Sequence, residues 1–229
     1  MTATGGPGLD GNDPAVPVVD ALRAAIAGGE FAPNQRLIEA DLSERFGASR
    51  ASVRTALLEL TSEGLIERLQ NRGARVRAVS LVEAIEITEV RMVLEGLCAA
   101  KAAGQLTENG RGQLRAIGSA MQAAVATGNL LDYSDLNKQL HTLIRELAGQ
   151  STAGSILERL RAQNVRHQFQ LAMHPGRPSV SLPQHLEIIE ALCAGDPEAA
   201  EAAMRRHLRS VIDTLPEVDA TRTRRFNTL

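Results

Sequence analysis

Two glycines, Gly47 and Gly64, divide the stretch Arg36–Arg77 into pieces that admit few arrangements. Ahead of Gly47, residues Leu37, Leu42 and Phe46 give a short helix one apolar side, and glycine suits the left-handed conformation that ends a helix. Ser49 stands where an N-cap belongs, its hydroxyl free to accept an orphan backbone N–H. Val53, Ala56, Leu57 and Leu60 then repeat at the i, i+3, i+4, i+7 spacing of a half-buried helix, which Gly64 closes. Leu58 falls off that stripe. Leu65–Leu69 and Ala74–Val79 flank the turn Gln70-Asn71-Arg72-Gly73, and the second of these runs alternates. Ala74, Val76 and Ala78 point one way and Arg75 and Arg77 the other, the period of two of a β-hairpin. The expected unit is helix, tight turn, helix, hairpin.

Arg50, Ser52 and Arg54 lie at the N-terminal end of the second helix, off its apolar stripe. A helix with a buried back and short polar and arginine side chains at its N-terminus suits base edges in a DNA major groove. Residues 49–77 hold six arginines against three glutamates, a local net charge of +3 in a chain whose formal net charge is −2. The charge is therefore a patch, and nucleic-acid affinity must come from it rather than from the chain as a whole. Solvated arginines on a small helical domain would give the same helix outline. The wing and the placement of the arginines favour DNA.

The residues Arg36-Leu37, Asp41-Leu42-Ser43, Phe46-Gly47-Ala48-Ser49-Arg50, Val53-Arg54, Ala56-Leu57, Leu60, Glu63-Gly64-Leu65-Ile66 and Gly73 resemble the winged-helix signature of GntR-family bacterial transcription regulators. Asn34 stands where that family usually has glycine. The resemblance implies a winged helix-turn-helix on palindromic double-stranded operator DNA. Expected DNA contacts are Arg36, Ser49, Arg50, Ser52, Arg54, Arg72 and Gly73.

Composition narrows the rest. Hydrophobic residues make up 44% of the 229, enough for real cores, and no run approaches the eighteen apolar residues of a membrane span. Aromatic residues are 2%, too few for stacking platforms on single-stranded nucleic acid. Cys98 and Cys193 are far apart in helical patterns, so reduced core thiols and a cytoplasmic location are expected. Residues 1–13 have neither the basic residues nor the apolar core of a signal peptide and read as a disordered tail.

A first helix is expected over Pro14–Gly28, with Val19, Leu22 and Ile26 inward. Beyond Leu81 there is no strand pattern. Helices are expected at about 81–104, 107–127, 129–148, 150–173, 179–194 and 196–214, separated by glycine- and proline-bearing breaks. Short connections imply antiparallel neighbours. The fold class is mainly α: an N-terminal winged helix-turn-helix (14–79), then an all-α antiparallel bundle (80–214). Residues 215–229 read as a mobile basic tail.

All five histidines, at 141, 167, 174, 185 and 207, lie in the bundle. His141 flanks the stripe Leu136, Leu140, Leu143, Leu147, with Asn137 one turn earlier. His185 shares a face with Ile188, Ile189 and Leu192, and His207 with Met204, Leu208 and Val211. Three imidazoles on apolar faces of three helices are hard to satisfy singly, because an unpaired buried polar group costs about 1–3 kcal/mol. A shared metal or anion would satisfy them together, although separate core histidines remain open on spacing alone. His167 and His174 read as ordinary helix or loop residues.

This half of the chain resembles the FCD ligand-binding domain of FadR/VanR-like regulators. That domain carries an Asp-x-x-x-His pair and two later histidines on a divalent metal. The resemblance implies Asn137, His141, His185 and His207 as ligands. Asn137 replaces the carboxylate, so the site lacks one negative charge, and either metal affinity falls or a bound carboxylate supplies the charge. A divalent ion such as zinc or nickel fits imidazole-rich ligands. Arg91 and Glu95 match the family's Arg-x-x-Leu-Glu element. They are either a surface i,i+4 pair or a place where Arg91 clamps an effector carboxylate bidentately, with Arg161 and Arg166 as further candidates.

The reading is a homodimeric DNA-binding regulator, not an enzyme, controlled by a small organic acid. A metal-dependent helical enzyme and a ligand-free dimeric repressor are the rivals. No acidic residue near the three histidines stands out as a general base for the first of these.

Overall fold

The computed structural model describes residues 18–27, 29–69, 73–164, 167, 168, 171 and 174–226 (for 27 and 221–226, the backbone alone). The chain divides into two compact units, 1–78 and 79–229.

In the first unit, α1 (Val18–Ala27) and α2 (Glu39–Phe46) pack against α3 (Arg50–Ser62), which in turn meets a three-stranded sheet. Its strands are β1 (Arg36–Leu37), β2 (Ile66–Leu69) and β3 (Gly73–Val76), in the order β1-β3-β2. Leu22, Leu42, Val53, Leu60, Ile66 and Val76 are all buried in it. Gly47 ends α2 at φ 60°, and Ser49 caps α3 by accepting the Ser52 backbone N–H at 3.1 Å, both as the sequence predicts. Leu58 is 53% exposed, in keeping with its place off the stripe.

The strand β1 is not foreseen in the sequence, being two residues long. It pairs antiparallel with β3, Arg36 opposite Arg75 and Leu37 opposite Ala74. Asn34 makes the approach possible. It sits at φ 65°, and its N–H bonds the Val76 carbonyl at 2.8 Å. Glycine occupies a left-handed position without penalty, and asparagine is among the few other residues that tolerate it. The hairpin is shorter than expected: β3 ends at Val76, and Ala78 is exposed. The tip residues 70–72, including Arg72, lie outside the described residues.

The second unit is a helical bundle: α4 (Leu81–Gly104), α5 (Glu108–Ala126), α6 (Leu130–Ala148), α7 (Ser151–Gln163), α8 (Arg177–Ala194) and α9 (Pro197–Phe226). Leu114, Met121, Leu140, Leu157, Ile188 and Leu208 fill its core. At Gly96 a methyl group would meet Arg205 and Glu201 side-chain atoms at 3.2 Å, so glycine lets α4 and α9 lie close.

Two expectations need correcting. The helix placed at 150–173 breaks at Asn164. The buried Asn164 side chain donates to Thr88 Oγ1 at 3.3 Å, while its N–H is shared between the Leu160 and Arg161 carbonyls. Asparagine favours such terminal geometry over a helix interior. The last helix does not end at 214 with a mobile tail but continues to Phe226. Leu215 and Val218 carry its buried face past Pro216, so apolar packing outweighs the one missing N–H donor.

Candidate functional site

Among the described residues, the DNA-contact candidates Arg36, Ser49, Arg50, Ser52, Arg54 and Gly73 are all exposed. Ser49, Arg50, Ser52 and Arg54 are exposed at the start of α3. The Ser49 and Ser52 hydroxyls bond each other at 2.8 Å, and Arg54 Nε donates to Glu39 Oε2 at 2.8 Å. That salt bridge holds the Arg54 guanidinium against α2 before any DNA arrives. Arg36 is exposed on β1, and Gly73, at φ 85°, opens β3. Of the wing arginines, Arg75 donates to Glu67 at 2.6 Å across the hairpin.

In the bundle, repeated spacings of four place polar side chains on inward faces. On α6 these are Tyr133, Asn137 and His141, and on α8 they are Arg177, Ser181 and His185. On α4 they are Arg91 and Glu95. The buried face of α6 runs through Tyr133, Leu140, His141 and Ile144. It is turned from the leucine stripe read in the sequence, so His141 is central rather than flanking.

His141, His185 and His207 are 3%, 1% and 4% exposed. Their ring centroids are 5.8 Å (141–185), 5.5 Å (141–207) and 4.3 Å (185–207) apart. One ring nitrogen from each lies within 4.8 Å of the others. Nitrogens that shared a zinc ion at about 2.1 Å would lie at most ~4.2 Å apart, not far inside that spacing.

The hydrogen bonds around the rings decide which nitrogen faces inward. His141 Nδ1 bonds the Glu95 carboxylate, which can only accept. His207 Nδ1 bonds Gln184 Oε1 at 3.1 Å, again an acceptor. His185 Nδ1 bonds the Tyr133 hydroxyl at 3.0 Å, Tyr133 bonds Ser181 Oγ at 2.7 Å, and Ser181 donates to the Arg177 carbonyl at 3.0 Å. Since Ser181 spends its proton on that carbonyl, Tyr133 donates to Ser181, and His185 Nδ1–H donates to Tyr133. Each imidazole thus carries its proton on Nδ1 and presents an Nε2 lone pair. Orientation by an outer hydrogen-bond acceptor is the usual support of a metal-binding histidine. His185 Nε2 and Asn137 Oδ1 are buried with no hydrogen-bond partner. The donor set fits a divalent metal: three imidazole nitrogens and one amide oxygen.

The electrostatics agree. Burial, then the His141 and Arg177 charges, push His185 well below the ordinary histidine pKa. Burial, with His185 and His141 next, does the same to His207. Burial also lowers His141, against the pull of Glu95. All three are neutral at pH 7, the form a metal requires. For Glu95, burial alone would raise the carboxyl, but Arg91 and His141 outweigh it and hold it well below the usual carboxylate range. The Tyr133 hydroxyl is pushed up to about 12, chiefly by burial.

A cavity of about 60 Å³ adjoins the rings, lined among others by Arg91, Tyr133, Asn137, Arg161, Gln168 and Arg177. Arg91 and Glu95 are 4% and 2% exposed, so they are a buried i,i+4 pair rather than a surface one. Arg91 Nε and Nη2 both donate to Glu95 Oε1, at 3.0 and 2.7 Å. Its Nε–Nη2 edge is therefore occupied, which leaves the Nη1 end as the edge for another partner. Arg161 Nη1 and Arg177 Nη2 are buried without a hydrogen-bond partner. Burial lowers the Arg161 pKa to about 10, which still leaves it charged at neutral pH.

Tyr133, Ser181 and Arg177 are not foreseen in the sequence. The signal was present in the spacing of 177, 181 and 185, and in the only tyrosine of the chain lying eight residues before His141. Neither His167 nor His174 lines the cavity. Arg166 lies outside the described residues.

Comparison with known proteins places both halves. The family of bacterial regulatory proteins called gntR matches residues 14–76, and the FCD domain matches residues 86–210. The HTH-type transcriptional repressor RspR of Escherichia coli K12 is 30% identical over 197 residues, covering 86% of each chain. A probable D-xylose utilization operon transcriptional repressor of Paenarthrobacter nicotinovorans is 27% identical over 201 residues, covering 85% of each. Among solved structures, E. coli McbR/YncC superposes with a TM-score of 0.76 at 23% identity, covering 87% of this chain and 95% of that one. A putative GntR regulator from Rhodococcus sp. RHA1 gives 0.67 at 23% identity, covering 87% and 96%. These two support the fold. The matched families and relatives are regulators, not enzymes, which sets the metalloenzyme rival aside. This chain belongs to the GntR family of bacterial transcription regulators, with an N-terminal winged helix-turn-helix and a C-terminal FCD domain.

Proposed function

We propose that this regulator binds a palindromic operator as a homodimer in the cytoplasm. A small organic acid, held with a divalent metal in the bundle, changes that affinity. The observation that carries the reading is the histidine triangle. Three buried imidazoles, each fixed with its lone pair available, stand beside a cavity lined by Arg161 and Arg177, each with one buried guanidinium nitrogen that lacks a hydrogen-bond partner. Asn137, His141, His185 and His207 are the proposed metal ligands. Arg91 anchors Glu95, which orients His141, and contributes its free edge to the acid. Zinc or nickel suits the ligand set.

On the DNA side, Arg50, Ser52 and Arg54 address base edges, with Arg36, Ser49, Arg72 and Gly73 along the backbone or minor groove. A homodimer matches two-fold operators. An apolar stripe on α4, with Val82, Val90, Val93 and Leu97 exposed, suits a second copy of the chain. Control requires that the acid bind the two DNA-affinity states unequally.

The test is operator binding by purified, metal-loaded protein, with and without small carboxylates and with and without chelator. Carboxylate-dependent release or capture of DNA that chelator abolishes is the expected result. Protein that stays metal-free when metal is supplied, yet responds fully in chelator, would reduce the histidines to direct effector contacts or core residues.

A further inference from the structure

We propose that the effector of this regulator is a short dicarboxylate, whose two ends meet two cationic poles, Arg161 and Arg177, that line the cavity beside the histidine triangle. This rests on the organic-acid reading above and narrows it.

Arg161 lies on α7 and Arg177 at the head of α8, and both line the cavity beside the histidines. Arg177 is 6% exposed. Its Nη1 is committed to α9, donating to Ser210 Oγ at 2.8 Å and Thr214 Oγ1 at 3.2 Å. Its Nη2 is buried and has no partner. Arg161 Nη1 is in the same condition at the other pole.

Charge counting then asks for more than one anion. Glu95 is the one buried carboxylate among the described residues, and Arg91 and His141 already occupy it. Neither Arg161 nor Arg177 forms an ion pair with a carboxylate among the described residues. A divalent metal on three neutral imidazoles and a neutral amide adds two further positive charges. A monoacid satisfies one pole and leaves a buried guanidinium unpaired at the other, the costly condition for a polar group. A diacid satisfies both, with charge-assisted hydrogen bonds at each end. The cavity limits its length. At roughly 10–15 Å³ for each water position, 60 Å³ admits a molecule of few heavy atoms. Diacids of three to five carbons, with about seven to nine heavy atoms, stand at the upper limit of that space, and a lipid or an oligosaccharide far exceeds it.

The experiment is calorimetric titration of the zinc-loaded full chain with malonate, succinate and glutarate. Each is paired with the monoacid of equal carbon number: propionate, butyrate and valerate. At least one diacid should bind about 10- to 100-fold tighter than its monoacid, the range of one charge-assisted contact. In Arg177→Gln that ratio should collapse to within threefold, through loss of diacid affinity alone. In Arg177→Lys, which keeps the charge, the ratio should partly return. A purely structural role for Arg177 would weaken both acids and leave the ratio intact. If Arg177→Gln does not fold, Arg161→Gln examines the opposite pole by the same ratio. Monoacids binding as tightly as all three diacids overturn the dianion and leave the organic-acid reading standing. Failure of all six acids to bind, with zinc in place, overturns both.

Discussion

The two units solve opposite electrostatic problems. In the first, the functional arginines stand in water, where charge needs no compensation and a partner's phosphates can find it. Arg54 is 65% exposed, and its bridge to Glu39 is the kind of surface pair worth little in stability. In the second, charge is buried: Arg91, Glu95 and Arg177 are nearly closed off from solvent, and three neutral imidazoles stand among them. There a buried polar atom without a partner is costly, and Arg161 Nη1 and Arg177 Nη2 are such atoms. Arginine is thus solvated at the exposed start of α3 in one unit and enclosed beside the histidines in the other.

The largest test removes a ligand. His185→Ala should reduce metal affinity by more than the roughly 10–100-fold that a supporting residue alone costs. It should abolish the effector response and leave basal operator affinity unchanged. Metal content by elemental analysis, beside DNA binding, reads both. A parallel fall in basal DNA binding would show that the two units are not separable in this way.

The converse variant is Arg50→Ala with Arg54→Ala. Each arginine should contribute about 1–3 kcal/mol if it reads a base edge. Operator affinity should fall accordingly, its salt dependence should flatten, and metal content should stay at wild-type level. Unchanged affinity in the double variant would move recognition elsewhere in the winged helix.

A smaller effect is expected from Asn137→Asp. A carboxylate beside the imidazoles should tighten zinc, about tenfold for the roughly 1.4 kcal/mol of one modest contact. It should also weaken anionic effectors. Competition against a chromophoric chelator measures the first and calorimetry the second. Equal zinc affinity in both proteins would place the residue 137 side chain outside the coordination sphere.

The mildest test uses pH on metal-free protein. His141, His185 and His207 have folded-state pKa values below their unfolded value of about 6.5. Between those limits the unfolded chain binds more protons, so bundle stability should fall as pH drops below about 6.5. Glu95 acts lower. Its depressed pKa gives stability that is present above the unfolded carboxyl value and lost as pH falls through the folded one. The first unit holds no histidine among its residues, so its unfolding should be insensitive to pH over the histidine range. Thermal melts from pH 7.5 to 5.5, resolved by unit, check this. Equal sensitivity of both units would remove the histidines as the cause.

The contrast also explains what could be read from sequence. The winged helix was legible because its signals are local: a glycine at Gly47, a cap at Ser49, a stripe of four apolar residues in α3. The missing piece, β1, is two residues long and exists only through pairing with β3, forty residues on. In the bundle, the three histidines stood out because imidazoles on apolar faces are conspicuous. Their proton positions did not, since these depend on Glu95, Tyr133 and Gln184, each on a different helix from the ring it orients. Arg177 was hidden for the same reason. At the head of α8 it looks like a solvated end residue until α9 is seen to cover it. The run-on of α9 past Pro216 was equally illegible, because tertiary burial of Leu215 and Val218 overrides a local helix-breaking signal.

The helix α4 carries Arg91 and Glu95 on its inner side and begins at Leu81, five residues after β3 ends at Val76. Ten residues of helix separate Arg91 from that start, about 15 Å at 1.5 Å per residue. A rod of this length works as a lever. A tilt of about 5° pivoting at Gly96, a little over one turn beyond Arg91, moves the Leu81 end by roughly 2 Å, since displacement is arm length times angle along a helix of this rise. Gly96 sets the fulcrum by holding α4 tight against α9. On the proposed reading, an acid that draws on the Arg91–Glu95 pair need not reshape the bundle. It has only to lean on a stiff arm whose short end is that pair and whose long end is the Leu81 start of the helix.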